Sequence, residues 1–144
     1  YKRQLHMCGI VGYIGNKQAL PIIVNGLKRL EYRGYDSSGV ATYNGSTIVS
    51  CKSKGKISKL EKSIAKRKNL KGKVGIGHTR WATHGVTNEF NAHPQLSNSN
   101  NLSLVHNGII ENYSSIKESL FKKGYEFHSD TDTEVLINLI EFVK

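Results

Sequence analysis

Cys8 is the first residue in this chain whose chemistry suggests catalysis. Removal of Met7, which a small following residue permits, would leave Cys8 with both a thiol and a free α-amine. Because an α-amine titrates near pH ~7.7–8.0, it can serve as a general base at neutral pH. A terminal cysteine therefore offers a nucleophile and its base in one residue. A small buried cysteine beside a strand is the alternative.

Three further positions carry polar groups where strands end or a helix begins. Asn107-Gly108 follows a predicted strand, so its side-chain amide and a backbone N–H could stabilise an oxyanion, although Asn-Gly is also a common turn dipeptide. Arg80 closes another strand and could clamp a carboxylate with two hydrogen bonds, or be structural. Asp132 lies in the first turn of the last predicted helix, where the helix dipole favours a carboxylate that could also accept a substrate ammonium.

Four histidines raise the question of a metal site. His78, His84, His93 and His106 lie within 29 residues, but their gaps of 6, 9 and 13 match no zinc-binding spacing. Each is better explained as a hydrogen-bonding residue than as a proton shuttle. The glycines form no G-x-x-x-x-G-K-[ST] phosphate loop. The sequence therefore predicts neither a metal nor a nucleotide cofactor.

Apolar spacing predicts the elements that must position these side chains. The first half contains a strand over 10–14, a helix over 18–31, a hairpin of 40–43 with 47–49 around Asn44-Gly45, a helix over 58–67 and a strand over 74–79. A long loop over 81–101, a strand over 102–106, a helix capped by Asn112 and ended by Gly124, and a further strand precede the last helix, which begins at the Thr131–Glu134 capping box. This order of elements favours an α+β domain.

The formal charge of +10 is concentrated in one segment. Residues 52–73 contain ten Lys or Arg and one acid, which is a local charge of +9. Ile57, Leu60 and Ile64 form an apolar stripe within it, so its lysines are expected on the solvated faces of an amphipathic helix. The charge therefore describes one stretch of surface rather than a basic fold.

Length and composition indicate one ordinary globular domain. The 144 residues are 38% hydrophobic and 22% charged. No apolar stretch approaches the ~20 residues of a membrane-spanning helix, which excludes a transmembrane protein. Two cysteines are too few for a disulfide framework and indicate a reducing compartment, so a cytoplasmic location is expected.

Six strings of residues together resemble the class II glutamine amidotransferases, which are N-terminal-nucleophile hydrolases. They are Met7-Cys8-Gly9-Ile10-Val11-Gly12, Leu30-Glu31-Tyr32-Arg33-Gly34-Tyr35-Asp36-Ser37, His78-Thr79-Arg80-Trp81-Ala82-Thr83-His84-Gly85, Asn91-Ala92-His93-Pro94, Val105-His106-Asn107-Gly108-Ile109-Ile110-Glu111-Asn112 and Thr131-Asp132-Thr133-Glu134-Val135. The set is similar to the glutaminase domain of the glutamine–fructose-6-phosphate aminotransferases and extends over residues 7–144.

The resemblance implies a role for each candidate residue. Cys8 would attack the side-chain amide of glutamine, with its own α-amine as the base, and form a glutamyl thioester while ammonia leaves. Asn107 and Gly108 would form the oxyanion hole. Arg80 would bind the α-carboxylate of glutamine and Asp132 its α-ammonium. The remaining implied glutamine-binding residues are Trp81, Thr83, His84 and His93, with Arg33 near the terminus of the nucleophile. The resemblance implies no metal and no cofactor.

The resemblance also implies what surrounds this domain. The family's glutaminase domain is an αββα four-layer sandwich followed by two sugar isomerase domains, in a homo-oligomeric cytoplasmic enzyme of hexosamine biosynthesis. Residues 7–144 would be the N-terminal part of a truncated sandwich. Residues 1–6 are expected to be a leader foreign to the native chain. If the leader is retained, the nitrogen of Cys8 is an amide and cannot act as a base, so this chain itself is expected to be inactive.

Three alternatives stay open at this point. Another class II amidotransferase would share the terminal cysteine and would differ in the acceptor that its missing part binds. A glutamine-binding fragment without turnover would keep the site and lose the chemistry. A non-catalytic module that binds polyanions through residues 52–73 would show binding that weakens steeply with salt. The resemblance to the glutamine–fructose-6-phosphate aminotransferases predicts glutamine as substrate and no nucleic-acid or membrane partner.

Overall fold

Four strands form one antiparallel sheet in a computed structural model of the protein, which describes residues 7–81 and 86–144. The strands are β1 (Gly9–Ile14), β2 (Ser37–Tyr43), β3 (Ile48–Lys54) and β4 (Val74–Arg80), in the order β1-β4-β2-β3. β2 and β3 form the predicted hairpin, whose turn is stabilised because Asn44 Oδ1 accepts hydrogen bonds from the N–H groups of Ser46 and Thr47 at 2.9 Å each.

Two helices, α1 (Ala19–Arg29) and α2 (Ile57–Ala65), cover one face of this sheet. The predicted apolar stripes are the buried ones: Ile23 and Leu27 of α1 and Leu60 of α2 are fully buried. Gly77 of β4 allows α1 to approach closely, since a Cβ there would lie 2.4 Å from Ile23 Cγ2. α1 ends two residues before the predicted boundary and is followed by a short 3₁₀ helix, Glu31–Arg33.

The second half of the chain packs on the other side of β2. It contains β5 (Gln95–Leu96), β6 (Ser103–Leu104), α3 (Tyr113–Lys122) and α4 (Asp132–Val143). β5 pairs antiparallel with β6, and α4 packs against both strands and against α3. A Cβ at Gly39 of β2 would lie 2.1 Å from the His93 carbonyl oxygen, so the segment before β5 lies directly on the four-stranded sheet. The α+β prediction is confirmed.

One predicted strand is shorter than expected, and another does not form. The strand predicted over 102–106 is only Ser103–Leu104, and the long loop over 81–101 contains its partner, β5. Among the described residues between α3 and α4, no strand forms. The Asn98 side-chain amide takes the place of a neighbouring strand there: Nδ2 donates to the Glu126 carbonyl oxygen and Oδ1 accepts from the Glu126 N–H, both at 2.8 Å.

The two predicted helix caps have opposite outcomes. Thr131 caps α4, because its side-chain oxygen accepts a hydrogen bond from the Glu134 N–H at 3.3 Å. Asn112 precedes α3 but makes no side-chain capping hydrogen bond, so that prediction was wrong; instead its carbonyl oxygen accepts a hydrogen bond from the Ser115 hydroxyl at 2.9 Å. No helix within residues 7–81 and 86–144 is long and apolar enough to cross a membrane.

Candidate active site

The start of β1 and the end of β4 lie side by side, which brings Cys8 close to Arg80. Gly9 lies opposite Thr79 in the antiparallel register, and its N–H donates to Thr79 Oγ1 at 3.0 Å. Cys8 directly precedes the strand and is held against Trp81: the Trp81 N–H donates to Cys8 Sγ at 3.2 Å, and Sγ lies 3.6 Å from the Trp81 carbonyl oxygen. The strand register therefore sets the position of the thiol.

Asn107 lies beside Cys8 and is held at both ends of its side-chain amide. Its Nδ2 donates to the Cys8 carbonyl oxygen at 3.1 Å, and its Oδ1 lies 2.6 Å from His78 Nε2. His78 is on β4 two residues before Arg80, so strand alternation places both side chains on the same face of the sheet. Gly108 follows Asn107 at the exposed surface.

The N-terminus of α4 supplies the opposite wall of the site. Besides the Thr131 cap, the buried Glu134 carboxylate accepts hydrogen bonds from the N–H and the hydroxyl of Ser129, at 2.7 and 2.6 Å. These bonds hold the first turn of α4 in place. Asp132 Oδ2 in turn accepts a hydrogen bond from the Ile110 N–H at 2.8 Å, which ties α4 to the segment after β6.

These parts enclose a cavity of about 330 Å³, within the range that small-molecule sites occupy. Seven of the residues predicted from the sequence line it: Cys8, Arg80, Trp81, His93, Asn107, Gly108 and Asp132. Their positions span residues 8 to 132 of the chain, so the fold brings together side chains that the sequence keeps far apart.

A buried cation and a buried anion give the cavity its electrostatic character. Arg80 is 4% exposed and Asp132 is 5% exposed. Burial lowers the pKa of Arg80, and the nearby Asp36, Cys8 and Asp132 partly offset this effect. An arginine stays protonated under such a shift, since its ordinary pKa exceeds ~12. The cavity can therefore bind a molecule that carries both a carboxylate and an ammonium group.

Two histidines form a stacked, uncharged pair beside this cavity. The rings of His78 and His93 lie 4.6 Å apart between centroids with an interplanar angle of 24°. Burial lowers the pKa of His78 to about 4, which the hydrogen bond to Asn107 partly offsets. Burial also lowers the pKa of His93 to about 2, together with the nearby side chains of His78, Arg80 and Lys52. Both are neutral at pH 7, and His93 Nε2 lies 2.8 Å from Thr133 Oγ1. They act as hydrogen-bonding groups rather than as proton carriers.

Three predicted residues lie elsewhere or outside the described residues. Arg33 is in the 3₁₀ helix, where its Nε donates to the Tyr32 hydroxyl at 3.3 Å, and it is not among the described residues that line the cavity. Thr83 and His84 fall outside the described residues. Within the described ranges, no group of three or more His, Cys, Asp or Glu residues is placed to hold a metal ion.

Sequence reasoning missed several residues of the cavity wall. They are Met7, His78, His106, Ile109, Thr131 and Thr133. One signal could have found His78: it precedes Arg80 by two positions on a strand, and such residues share a face. Thr133 could not be found this way, because its contact with His93 joins residues forty positions apart.

Comparison with known proteins identifies the family of the chain. The sequence profile of a family described as a glutamine amidotransferase domain matches residues 65–143, which is more than half of the chain. The chain belongs to the class II glutamine amidotransferase domain family. It resembles the glutamine–fructose-6-phosphate aminotransferases in particular.

Two such relatives illustrate the similarity. The chain is 58% identical to the isomerizing glutamine–fructose-6-phosphate aminotransferase of Bacteroides thetaiotaomicron over 139 residues, which covers 96% of this chain and 22% of that protein. It is 59% identical to the enzyme of the same name from Methanosarcina mazei, with coverage of 93% and 22%. The chain thus spans about a fifth of the length of these relatives.

A solved structure has the same fold. Glutamine phosphoribosylpyrophosphate amidotransferase from B. subtilis, complexed with ADP and GMP, superposes with a TM-score of 0.75 at 33% identity. The match covers 92% of this chain and 29% of that one. The α+β architecture described above is therefore that of an amidotransferase domain.

Proposed function

We propose that this chain is the glutaminase part of an enzyme that converts fructose 6-phosphate and glutamine to glucosamine 6-phosphate and glutamate. The observation that carries the proposal is that one cavity is lined by Cys8, Asn107, Gly108, Arg80 and Asp132. This set combines a nucleophile, two hydrogen-bond donors for an oxyanion, and a pair of opposite charges. Hydrolysis of a side-chain amide needs these groups in one place.

The first half of the reaction forms a thioester. The α-amine of Cys8 takes the thiol proton, and the sulfur attacks the side-chain amide carbon of glutamine. The oxygen of that amide becomes an oxyanion, which Asn107 Nδ2 and the Gly108 N–H stabilise. When the C–N bond breaks, the α-ammonium returns the proton to the leaving nitrogen, and ammonia departs.

The second half regenerates the enzyme. The same α-amine takes a proton from water, and the resulting hydroxide attacks the thioester carbon. The C–S bond breaks, glutamate leaves, and Cys8 recovers its proton. One glutamine and one water therefore give one glutamate and one ammonia, and a single base serves both halves.

Charge recognition explains why glutamine would fit this cavity. The Arg80 guanidinium can form paired hydrogen bonds with the α-carboxylate, and the Asp132 carboxylate can accept from the α-ammonium. Both side chains are nearly excluded from water, which strengthens each contact. Trp81 and His93, together with Thr83 and His84, would surround the substrate glutamine.

The acceptor half of the reaction is part of the same proposal. The named relatives are aminotransferases of fructose 6-phosphate, and the chain spans about 22% of their length. We propose that sugar isomerase domains use the released ammonia in a homo-oligomeric, cytoplasmic parent enzyme.

The packing of α1 and α2 on the four-stranded sheet, and of α3 and α4 beside the two-stranded sheet, supports an αββα layering of the domain.

The test compares two forms of the chain whose masses have been verified. One retains the residues before Cys8, and the other has been trimmed so that Cys8 is the first residue. Glutamate and ammonia release are measured for both, together with labelling by 6-diazo-5-oxo-norleucine, a glutamine-like electrophile. We expect the trimmed form to hydrolyse glutamine and to carry one label on Cys8, and the untrimmed form to be slower by about 100-fold or more, because its nitrogen is an amide.

A Cys8→Ser variant of the trimmed chain is the control and should release no glutamate above background. Glutamine hydrolysis by the untrimmed chain, verified as uncut, would contradict the α-amine as base. A trimmed chain that neither hydrolyses glutamine nor takes up the label would contradict the glutaminase proposal itself.

A further inference from the structure

We propose that His78 is a positioning residue, which holds the Asn107 side-chain amide with its nitrogen toward Cys8. The inference rests on the proposed function, in which Asn107 Nδ2 stabilises the oxyanion. It gives a specific partner and role to one of the four histidines that the sequence identified only as hydrogen-bonding groups. His78 itself does not contact the reacting atoms in this arrangement.

The orientation of the Asn107 amide follows from what surrounds it. The Cys8 carbonyl oxygen lies 3.1 Å from one end of the amide and can only accept a hydrogen bond. The NH₂ group must therefore face Cys8, which leaves Oδ1 facing His78 Nε2 at 2.6 Å. An amide oxygen only accepts, so His78 must donate from Nε2–H.

The reverse orientation is disfavoured at both ends. It would place Oδ1 against the Cys8 carbonyl oxygen, which is acceptor against acceptor. It would also require His78 to carry its proton on Nδ1, which is buried without a hydrogen-bond partner among the described residues, so an unsatisfied donor would be buried there. Because one NH₂ hydrogen is used on Cys8, the second is left to point at the cavity, where an oxyanion would form. His78 therefore selects the catalytically useful orientation of Asn107.

The His78 ring is itself held firmly. It is fully buried and stacks on the His93 ring, and His93 lies in contact with Thr133 of α4. A neutral imidazole carries one ring proton, so donation from Nε2 fixes its tautomer. Contacts from β4 through to α4 thus support the amide that follows β6, which is the kind of support a preorganised site requires.

A spectroscopic test needs no turnover. In a ¹⁵N-labelled chain, long-range ¹H–¹⁵N correlation spectra report which ring nitrogen of His78 carries the proton, and amide hydrogen exchange reports the protection of the Asn107 NH₂ group. We expect the Nε2–H tautomer, and slower exchange of the Asn107 NH₂ hydrogen that is bonded to the Cys8 carbonyl oxygen than of the one that points at the cavity. The Nδ1–H tautomer in the folded chain would overturn the inference.

A kinetic test separates positioning from mere packing. In the trimmed chain, His78→Leu removes the donor, whereas His78→Gln can restore an N–H near the position of Nε2. We expect the leucine variant to lower kcat for glutamine by roughly 10- to 100-fold, with KM within threefold, because loss of one oxyanion donor costs about 10²–10³ and here the donor is displaced rather than deleted. The glutamine variant should recover most of this loss.

Two controls keep the outcomes distinct. Alkylation of Cys8 by iodoacetamide forms no oxyanion, so its rate should be unchanged in His78→Leu. The same change at an exposed histidine outside the site, His128→Leu, should leave kcat within twofold. If the parent chain hydrolyses glutamine and His78→Leu does so equally well, the inference is wrong. If the parent chain does not hydrolyse glutamine, the proposed function fails, and the tautomer and exchange data alone decide the role of His78.

Discussion

Most ionisable side chains are buried at the cavity but exposed in the lysine-rich segment, residues 52–73. At the cavity, Arg80 and Asp132 are buried, and His78 and His93 are buried and uncharged. In the lysine-rich segment, nine of the ten basic residues are exposed. The segment carries most of the net charge, yet none of the residues proposed for catalysis lies in it.

This difference indicates that the proposed chemistry depends on where charge is placed rather than on how much of it there is. An exposed lysine is surrounded by water and counterions, so its field is screened within about 8–10 Å. A charge inside the cavity is screened much less, and it acts on a bound group at short range. The few charges at the cavity can therefore matter more than the +9 of the segment.

The largest expected effect at the cavity comes from removing its buried anion. Asp132→Asn keeps the shape of the side chain and its hydrogen bond with the Ile110 N–H, but it loses the charge that would bind an ammonium. We expect glutamine affinity to fall by about 100- to 5000-fold, since removing one partner of a buried ion pair costs about 3–5 kcal/mol. Isothermal titration calorimetry in a Cys8→Ala background measures this without turnover.

The matched control is Asp130→Asn, the same change two residues away at an exposed position that does not line the cavity. Its affinity should stay within threefold of the parent. Equal losses of glutamine affinity in both variants would show that the buried charge of Asp132 contributes no more to binding than an exposed charge. The proposed difference between the cavity and the lysine-rich segment would then be wrong.

The buried histidines predict a pH dependence that the lysines cannot produce. A histidine whose pKa is lower in the folded state takes up its proton more readily when unfolded, so the free energy of unfolding falls as the pH drops below the ordinary value of about 6.5. With folded pKa values of about 4 for His78 and about 2 for His93, each should account for about 2 kcal/mol of lost stability between pH 7 and pH 5.

Urea unfolding at the two pH values checks this dependence. His78→Gln does not titrate in this window, so the difference in unfolding free energy between pH 7 and pH 5 should be smaller in that variant by about 2 kcal/mol. His128→Gln replaces an exposed histidine and should retain the parent's dependence. If the unfolding free energy falls equally between pH 7 and pH 5 in the parent and in His78→Gln, the lowered pKa of His78 is wrong.

The smallest effect is expected from the exposed lysines. Lys59→Gln, Lys62→Gln and Lys66→Gln, combined in one chain, remove three charges from the solvated side of α2 and its C-cap and should change the free energy of unfolding by no more than about 0.5 kcal/mol. Glutamine hydrolysis should stay within twofold. Binding of heparin that weakens steeply with salt, and that this triple variant abolishes, would instead favour a polyanion site.

Lys52 is the one basic residue of the lysine-rich segment that is not exposed. It is partly buried, burial lowers its pKa, and its Nζ donates to the Phe90 carbonyl oxygen at 3.2 Å. We expect Lys52→Gln alone to cost about 1 kcal/mol in urea unfolding, more than the three exposed changes together, because it removes a hydrogen bond that spans two parts of the fold. A smaller cost than that of the triple variant would show that burial does not separate the two classes of lysine.

Local patterns determined much of this protein. The apolar stripes of α1 and α2, the Asn44-Gly45 hairpin and the Thr131 cap are properties of residues a few positions apart, so spacing alone predicts them. The six family strings belong to the same level, because each is a short run whose residue types can be read in order. These features led to the α+β class and to most of the residues that line the cavity.

Contacts between residues far apart in the chain follow from the packing of whole elements and not from local patterns. The contact of His78 with Asn107 and the pairing of the Asn98 amide with Glu126 each join residues about thirty positions apart. The latter contact takes the place of the strand that spacing predicted, and Arg33 is not among the described residues that line the cavity although its string belongs to the family pattern. A hydrogen bond between distant residues depends on how two elements pack, and the spacing of residues within either element contains no information about that packing.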